Sequence, residues 1–291
     1  MFIDIHVHAT RIPGFPRGKN QAFATAEQLL EQYDRIGVEK GVLLPDINPE
    51  WSYGCQSVQD ILEISRKYPD RFIPFCNVDP RSLTNSADAP LGDLLKYYRD
   101  QGCLGIGEVC ANLPFSHPMV QNLFKHVEKT GFPLTFHLGA QIGGVYGLYD
   151  EPGLPQLERC LQQFPGLRFL AHSQTFWAEM SALETPADRY IYPAYPVKEE
   201  GVVPKLMRRY PNLLGDLSAG SGCNALARDP EYAVKFLNEF QDKLFFGTDI
   251  CTPDEKTPLV DFLLKLRNER KITETVFQKV SRENAVKLLG L

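Results

Sequence analysis

Several features that would each set the class of a 291-residue chain are missing from this one. No apolar run reaches the roughly 18 residues that a bilayer-crossing helix requires. Charge of either sign does not gather into blocks, and a net charge of −5 offers no basic surface for nucleic acid or an anionic membrane. The seven cysteines are odd in number and form no CxxC pair. They therefore suggest neither a zinc ribbon nor a disulfide framework, but the reduced thiols of a cytoplasmic protein. Met1 leads straight into an apolar run with no basic region or cleavage site, which carries the same expectation. HVHATRIPG follows the first apolar run where a dinucleotide-binding sheet would place GxGxxG, so a doubly wound sheet loses its main support. Without linker, low-complexity tract or charged tail, residues 1–291 read as one domain.

What is present is an ordinary globular balance of 43% apolar and 23% charged residues, enough for a sizeable core. Eight short β-rich runs are bounded by turn residues: 2–8, 41–45, 71–78, 103–109, 133–139, 167–173, 212–218 and 243–249. They recur at intervals of roughly 30 to 45 residues, about one strand–helix unit. Most lack strict alternation, as parallel strands covered by helices do. Helical stripes lie between them. TAEQLLEQYDRIG has Thr25 as N-cap and Gly37 as stop, SVQDILEISRKYP opens on Ser57, and MVQNLFKHVEKTG ends on Gly131. Residues 229–241, 257–268 and 273–289 follow the same pattern. Strand then helix, eight times over, predicts a single-domain α/β fold, a (β/α)8 TIM barrel with its site at the carboxyl ends of the strands. Residues 174–211, which hold no clear strand core, are the candidate cap.

Polar residues at strand ends are then the ones to ask about. The first run ends in His6 and His8, the fourth in Glu108, the fifth in His137, the sixth in His172 and the eighth in Asp249. A lone histidine in an apolar strand is ordinarily a hydrogen-bonded core residue. Four of the six histidines coinciding with two acids at one face instead suit a divalent metal. Period-two alternation puts Phe2, Asp4, His6 and His8 on the barrel interior and Ile3, Ile5 and Val7 outside. Asp4 then lies below the ligands, fit for an orienting hydrogen bond or ion pair.

HVH on strand one, GIGE on strand four, FH on strand five, AHS on strand six and GTD on strand eight resemble the amidohydrolase superfamily, in particular its "amidohydrolase 2" branch. YDRIGVEKGVLLP and ENAVKLLGL resemble that branch's first helix with strand two and its terminal helix. The resemblance implies metal ligation by His6, His8 and Asp249. It implies His137 and His172 as further ligands, with His172 alternatively orienting the substrate carbonyl or the attacking water. Glu108 stands where many members carry a carboxylated lysine or a bridging glutamate. Decarboxylases of the branch generally lack it, so the expectation is hydrolysis of an ester, lactone or amide, with Asp249 and His172 catalytic. Non-oxidative decarboxylation of an aromatic or unsaturated acid is the alternative. The cofactor would be one or two divalent ions, zinc first, manganese or iron otherwise. The partner would be a small-molecule substrate, and a homo-oligomer, dimer or larger, agrees with the resemblance.

Several loops could serve the substrate. LGAQIGGVYGLYD (138–150) could be a lid carrying Tyr146 and Tyr149 or a packed surface loop. Arg189 could hold a carboxylate, although a solvated charge is the plainer reading. LSAGSGCN could bind an anion or simply join strand to helix. Trp51 and Tyr53 could line a wall. Cys110 and Cys251 are read as inert buried thiols, and His117 and His126 as structural.

Overall fold

The computed structural model describes residues 1–16, 22–50 and 56–291; Trp51 and Tyr53 lie outside these. Its strands are β1 (Phe2–Val7), β2 (Val38–Leu43), β3 (Phe72–Pro74), β4 (Ile106–Val109), β5 (Leu134–Gly139), β6 (Leu148–Tyr149), β7 (Phe169–His172), β8 (Leu213–Asp216) and β9 (Leu244–Phe245). All pair in parallel. Setting aside β6, a two-residue strand added beside β5, the eight others match the eight sequence runs. The circle closes through backbone bonds. Cys76 N–H donates to Gly105 C=O (3.0 Å) between β3 and β4, and Ile5 N–H to Phe246 C=O (3.0 Å) between β1 and β9. A (β/α)8 barrel results, the expected architecture.

Helices cover it for local reasons that the sequence displays. In α1 (Ala26–Ile36), Thr25 and Gln28 form a reciprocal capping box, Ala26, Leu29 and Tyr33 are buried, and Gly37 closes the end at φ 77°. In α2 (Val58–Lys67), Ser57 and Asp60 repeat the box. The pattern over 273–289 is one helical run, α11 (Glu274–Gln278) and α12 (Asn284–Leu289), joined through a wider π turn. No helix among the described residues is long and apolar enough to cross a membrane.

The phase of β1 departs from simple alternation. Between the pairs Asp4–Gly41 and Val7–Leu43 its register against β2 shifts, Ile5 and His6 on β1 opposing Val42 alone on β2. This is a β-bulge, and it reverses which residues face inward. Ile3 and Ile5 pack with Val42, Leu44, Ile73, Phe75, Leu170, Leu214 and Phe245, drawn from strands all around the barrel, which places them inside. Phe2 meets Phe277 of α11 at 5.7 Å, and Asp4 accepts a hydrogen bond from Tyr33 Oη of α1 (2.6 Å), which places both on the helix side. His6 and His8, beyond the bulge, point inward.

Asp4 therefore does not lie inside beneath the site; it pins the bulge from outside. Its carboxylate accepts from the N–H of His6 (3.0 Å), the N–H of Thr248 (2.9 Å), the Thr248 hydroxyl and Tyr33. Burial raises its pKa to about 6 despite those bonds. Asp4→Ala would orphan four buried donors, and urea unfolding is expected to show a loss of about 3 kcal/mol or more.

Candidate active site

The bulge on β1 carries His6 and His8 into the mouth of the barrel, each with its ring fixed by a bond at Nδ1. His6 Nδ1 donates to Asp216 Oδ2 at 2.6 Å, and His8 Nδ1 donates to the Leu44 carbonyl at 3.0 Å. With those protons placed, both Nε2 atoms present lone pairs, and they face each other at 3.2 Å. Two such acceptors repel unless a proton or a cation lies between them.

Carboxylates complete the arrangement. Glu108 Oε2 is 3.4 Å from His6 Nε2 and 3.7 Å from His8 Nε2. Asp249 Oδ1 is 3.5 and 3.4 Å from the same two atoms. His172 Nε2 stands 3.8 Å from an oxygen of each acid, and its Nδ1 is hydrogen-bonded to Ser218 Oγ at 2.9 Å. His137 donates from Nδ1 to Glu108 Oε1 at 2.8 Å. All six residues singled out from the sequence thus converge, from β1, β4, β5, β7 and the segment after β9. Donor atoms of His6, His8 and Glu108 lie within 4.8 Å of one another, as do those of His6, His172 and Asp249. His137 groups in this way with Glu108 and Cys110, and Cys251 with His8 and Asp249.

The electrostatics follow from three carboxylates around the imidazoles, Asp216 and Glu108 buried and Asp249 partly exposed. Burial pulls His6 down, but Asp216, Glu108 and Asp249 outweigh it and hold the ring well above its ordinary pKa. For His8, burial is likewise outweighed, by bonds with Asp249 and Glu108, and the result is about 9. Burial would raise Glu108 and Asp249, yet the neighbouring imidazoles, His6 foremost, hold both below the carboxylate range. Burial and His6 together push His172 down. The cluster is built to surround positive charge. The Asp249 side chain is 20% exposed against 9% or less for the other five, so it is the member that meets solvent. Its backbone is left-handed (φ 54°) and held by a bond from its N–H to the His6 carbonyl (2.8 Å).

Two glycines are required by close approach. A Cβ on Gly247 would stand 2.9 Å from Asp216 Oδ1 and 2.7 Å from Ser218 Cβ. Gly147, at φ 102°, has His137 Cδ2 2.8 Å from where its Cβ would be. The glycine-rich loop is pinned: Asn112 bonds the carbonyls of Gln141 and Gly147 (both 3.0 Å) and the N–H of Gly143 (2.6 Å), and β6 pairs with β5. Its effect is to set the Tyr146 ring against His137, centroids 4.4 Å apart and planes tilted by 52°.

Other expectations resolve individually. Arg189 is not a solvated charge or a free carboxylate clamp. It is 2% exposed, paired with Glu179 at 3.0 Å and bonded to the Asp150 carbonyl at 2.9 Å. LSAGSGCN forms the entry to α8 (Ala219–Ala227), and its Ser218 touches His172. His117 caps α4 (Pro118–Thr130), and His126 packs on Gly92. Cys110 and Cys251 are buried, and among the described residues six free cysteines are found.

Asp216 was missed by sequence reasoning. It ends β8 in NLLGDLS just as Glu108 ends β4, so the rule that found the other acids would have found it. Through His6 it acts on the centre of the cluster. Asp216→Asn is expected to weaken divalent-metal affinity about 10- to 100-fold with the fold retained, measured by competition against a chromogenic chelator.

A family model described as amidohydrolase matches residues 3–291. Curated proteins contain no match to the chain. Among solved structures, an uncharacterised TIM-barrel protein from Bordetella bronchiseptica is 18% identical, with TM-score 0.67 over 99% of this chain and 98% of that one. A probable 2-pyrone-4,6-dicarboxylic acid hydrolase from Acinetobacter baumannii is 17% identical, with TM-score 0.60 over 100% and 99%. The 5-carboxyvanillate decarboxylase of Sphingomonas paucimobilis is 15% identical, with TM-score 0.64 over 100% and 99%.

Proposed function

Because the chain belongs to the amidohydrolase family, which is metal-dependent, we propose that it is a hydrolase of an ester, lactone or amide bond in a small molecule, acting with one or two divalent ions. The observation that carries the reading is the pair of opposed Nε2 atoms of His6 and His8 between two ionised carboxylates. The donor set fits the group: imidazole nitrogen and carboxylate oxygen suit Zn²⁺, Mn²⁺ or Fe²⁺ alike, with zinc the first expectation. His6, His8, Glu108 and Asp249 would hold a cation. Glu108, His137 and His172 could hold a second. A bound divalent ion supplies Lewis-acid polarisation and lowers the pKa of water to about 7.

The chain's own residues supply the rest. Asp249, the exposed member, takes the proton of the attacking water on a carboxylate oxygen and returns it to the leaving group. Where it does not serve as a ligand, His172, kept neutral by burial, steers the substrate carbonyl. When Ser218 donates to its Nδ1, its Nε2 carries the proton and can donate to that oxygen. Asp216 and the Leu44 carbonyl hold His6 and His8 in the tautomer with Nε2 free.

Decarboxylation of an aromatic or unsaturated acid is the second reading, drawn from the likeness to the 5-carboxyvanillate decarboxylase. Glu108 weighs against it, since a carboxylate among the imidazoles repels a substrate carboxylate. The test is metal-loaded protein in ¹⁸O-water with panels of lactones, esters, amides and hydroxybenzoates. One ¹⁸O per cleaved acyl group is expected. Carbon dioxide release without incorporation of water would sink the hydrolase reading.

A further inference from the structure

A cavity of about 540 Å³ opens beside the cluster, within the size range of small-molecule sites. His137 and Tyr146 form one side; Gln174, Thr175 and Tyr190, from the segment after β7, form another. Glu50 is the one ionised carboxylate in its lining, and no lysine or arginine lines it among the described residues. Glu50 itself is paired with Arg81 through two bonds, 2.8 and 3.0 Å. Arg189, beside Tyr190 in sequence, is committed to Glu179.

The two loops that supply this lining also carry exposed apolar side chains. Ile142 on the loop after β5 is 53% exposed, and Tyr190, Ile191 and Tyr192 on the segment after β7 are each exposed by half or more. Tyr190 Oη donates to the Ala140 carbonyl at 3.4 Å, joining the two loops over the cavity. Tyr192 packs against Gly220 at the start of α8, within electrostatic reach of Asp249. Exposed apolar side chains on the loops beside a polar cavity mark a binding surface.

Resting on the hydrolase reading, we propose that the substrate is an uncharged ester or lactone bearing an aromatic ring or an apolar group of similar size, received by Tyr146, Tyr190 and Ile142. A carboxylate placed in this lining would lose its hydration beside Glu50, with no lysine or arginine to pair with among the described lining residues. An aromatic or alkyl group instead gains from contact with the tyrosine faces and from the water it sheds.

The test compares 4-nitrophenyl hexanoate with mono-4-nitrophenyl adipate, which share acyl length and leaving group and differ by a terminal carboxylate. With metal-loaded full-length protein, and each rate corrected for spontaneous hydrolysis, kcat/KM is expected to be at least tenfold higher for the hexanoate. Tyr190→Ala and Ile142→Glu are expected to raise its KM several-fold while kcat stays within twofold. Equal rates, or a preference for the adipate, overturn the proposal and leave the hydrolase reading standing. Ile142→Glu converting an oligomer to monomer with KM unchanged assigns these apolar side chains to a second copy of the chain and also overturns it. Failure to cleave any ester or lactone overturns the proposal, and failure to cleave amides as well overturns the hydrolase reading.

Discussion

Asp249→Asn is expected to lower kcat by about 10²- to 10⁴-fold, the range of a positioned general acid–base group. The substitution keeps the size of the side chain and removes its charge. Asp249 faces His6 and His8 through Oδ1 and His172 through Oδ2, and it alone of the six clustered residues has substantial contact with solvent. An asparagine there can neither accept the proton of a water nor match the positive charge the cluster is built around. Metal content should be measured in the same preparation. Near-full occupancy with kcat lost assigns Asp249 to proton transfer; loss of both assigns it chiefly to holding the ion. A variant retaining more than about a tenth of the original kcat contradicts both roles.

Arg189→Ala is expected to cost about 3–5 kcal/mol of folding stability, as the removal of one partner from a buried ion pair does. The side chains of Arg189 and Glu179 are 3% and 4% exposed. The arginine also bonds the Asp150 carbonyl, and the Arg189 carbonyl accepts from the Thr175 hydroxyl at 3.0 Å. It thereby ties the 186–190 turn to the helix Gln174–Ala178 and to the end of β6. Its loss leaves the Glu179 carboxylate held by the Gly153 N–H (2.7 Å) but without its cationic partner, and burial already raises its pKa. Urea denaturation of the single variant and of the double variant with Glu179→Leu checks this: the double should recover a large part of the loss. Equal destabilisation in both would show that packing by the arginine stem matters more than the stranded charge.

How far the sequence spoke depended on whether the signal was local. The eight strands were legible because a parallel strand buried on both faces writes itself as a short apolar run. His6, His8, Glu108, His137, His172 and Asp249 were legible because each is a polar residue ending such a run. Asp216 carried the same signal and was passed over in favour of the small residues that follow it. The inward face of β1 was not legible: a bulge adds one residue and inverts the alternation, with no mark in FIDIHVH to reveal it. Arg189 read as solvated because its partners arrive by tertiary packing, Glu179 and the Asp150 carbonyl just after β6.

In the proposed function, the His6–His8 pair with Glu108 and Asp249 holds a divalent cation required for hydrolysis. Metal analysis and turnover on the same chelator-treated protein, before and after stepwise return of Zn²⁺ or Mn²⁺, test it most directly. Activity rising in proportion to bound metal and saturating at one or two equivalents per chain is the predicted result. Undiminished hydrolysis by protein stripped of metal would contradict it.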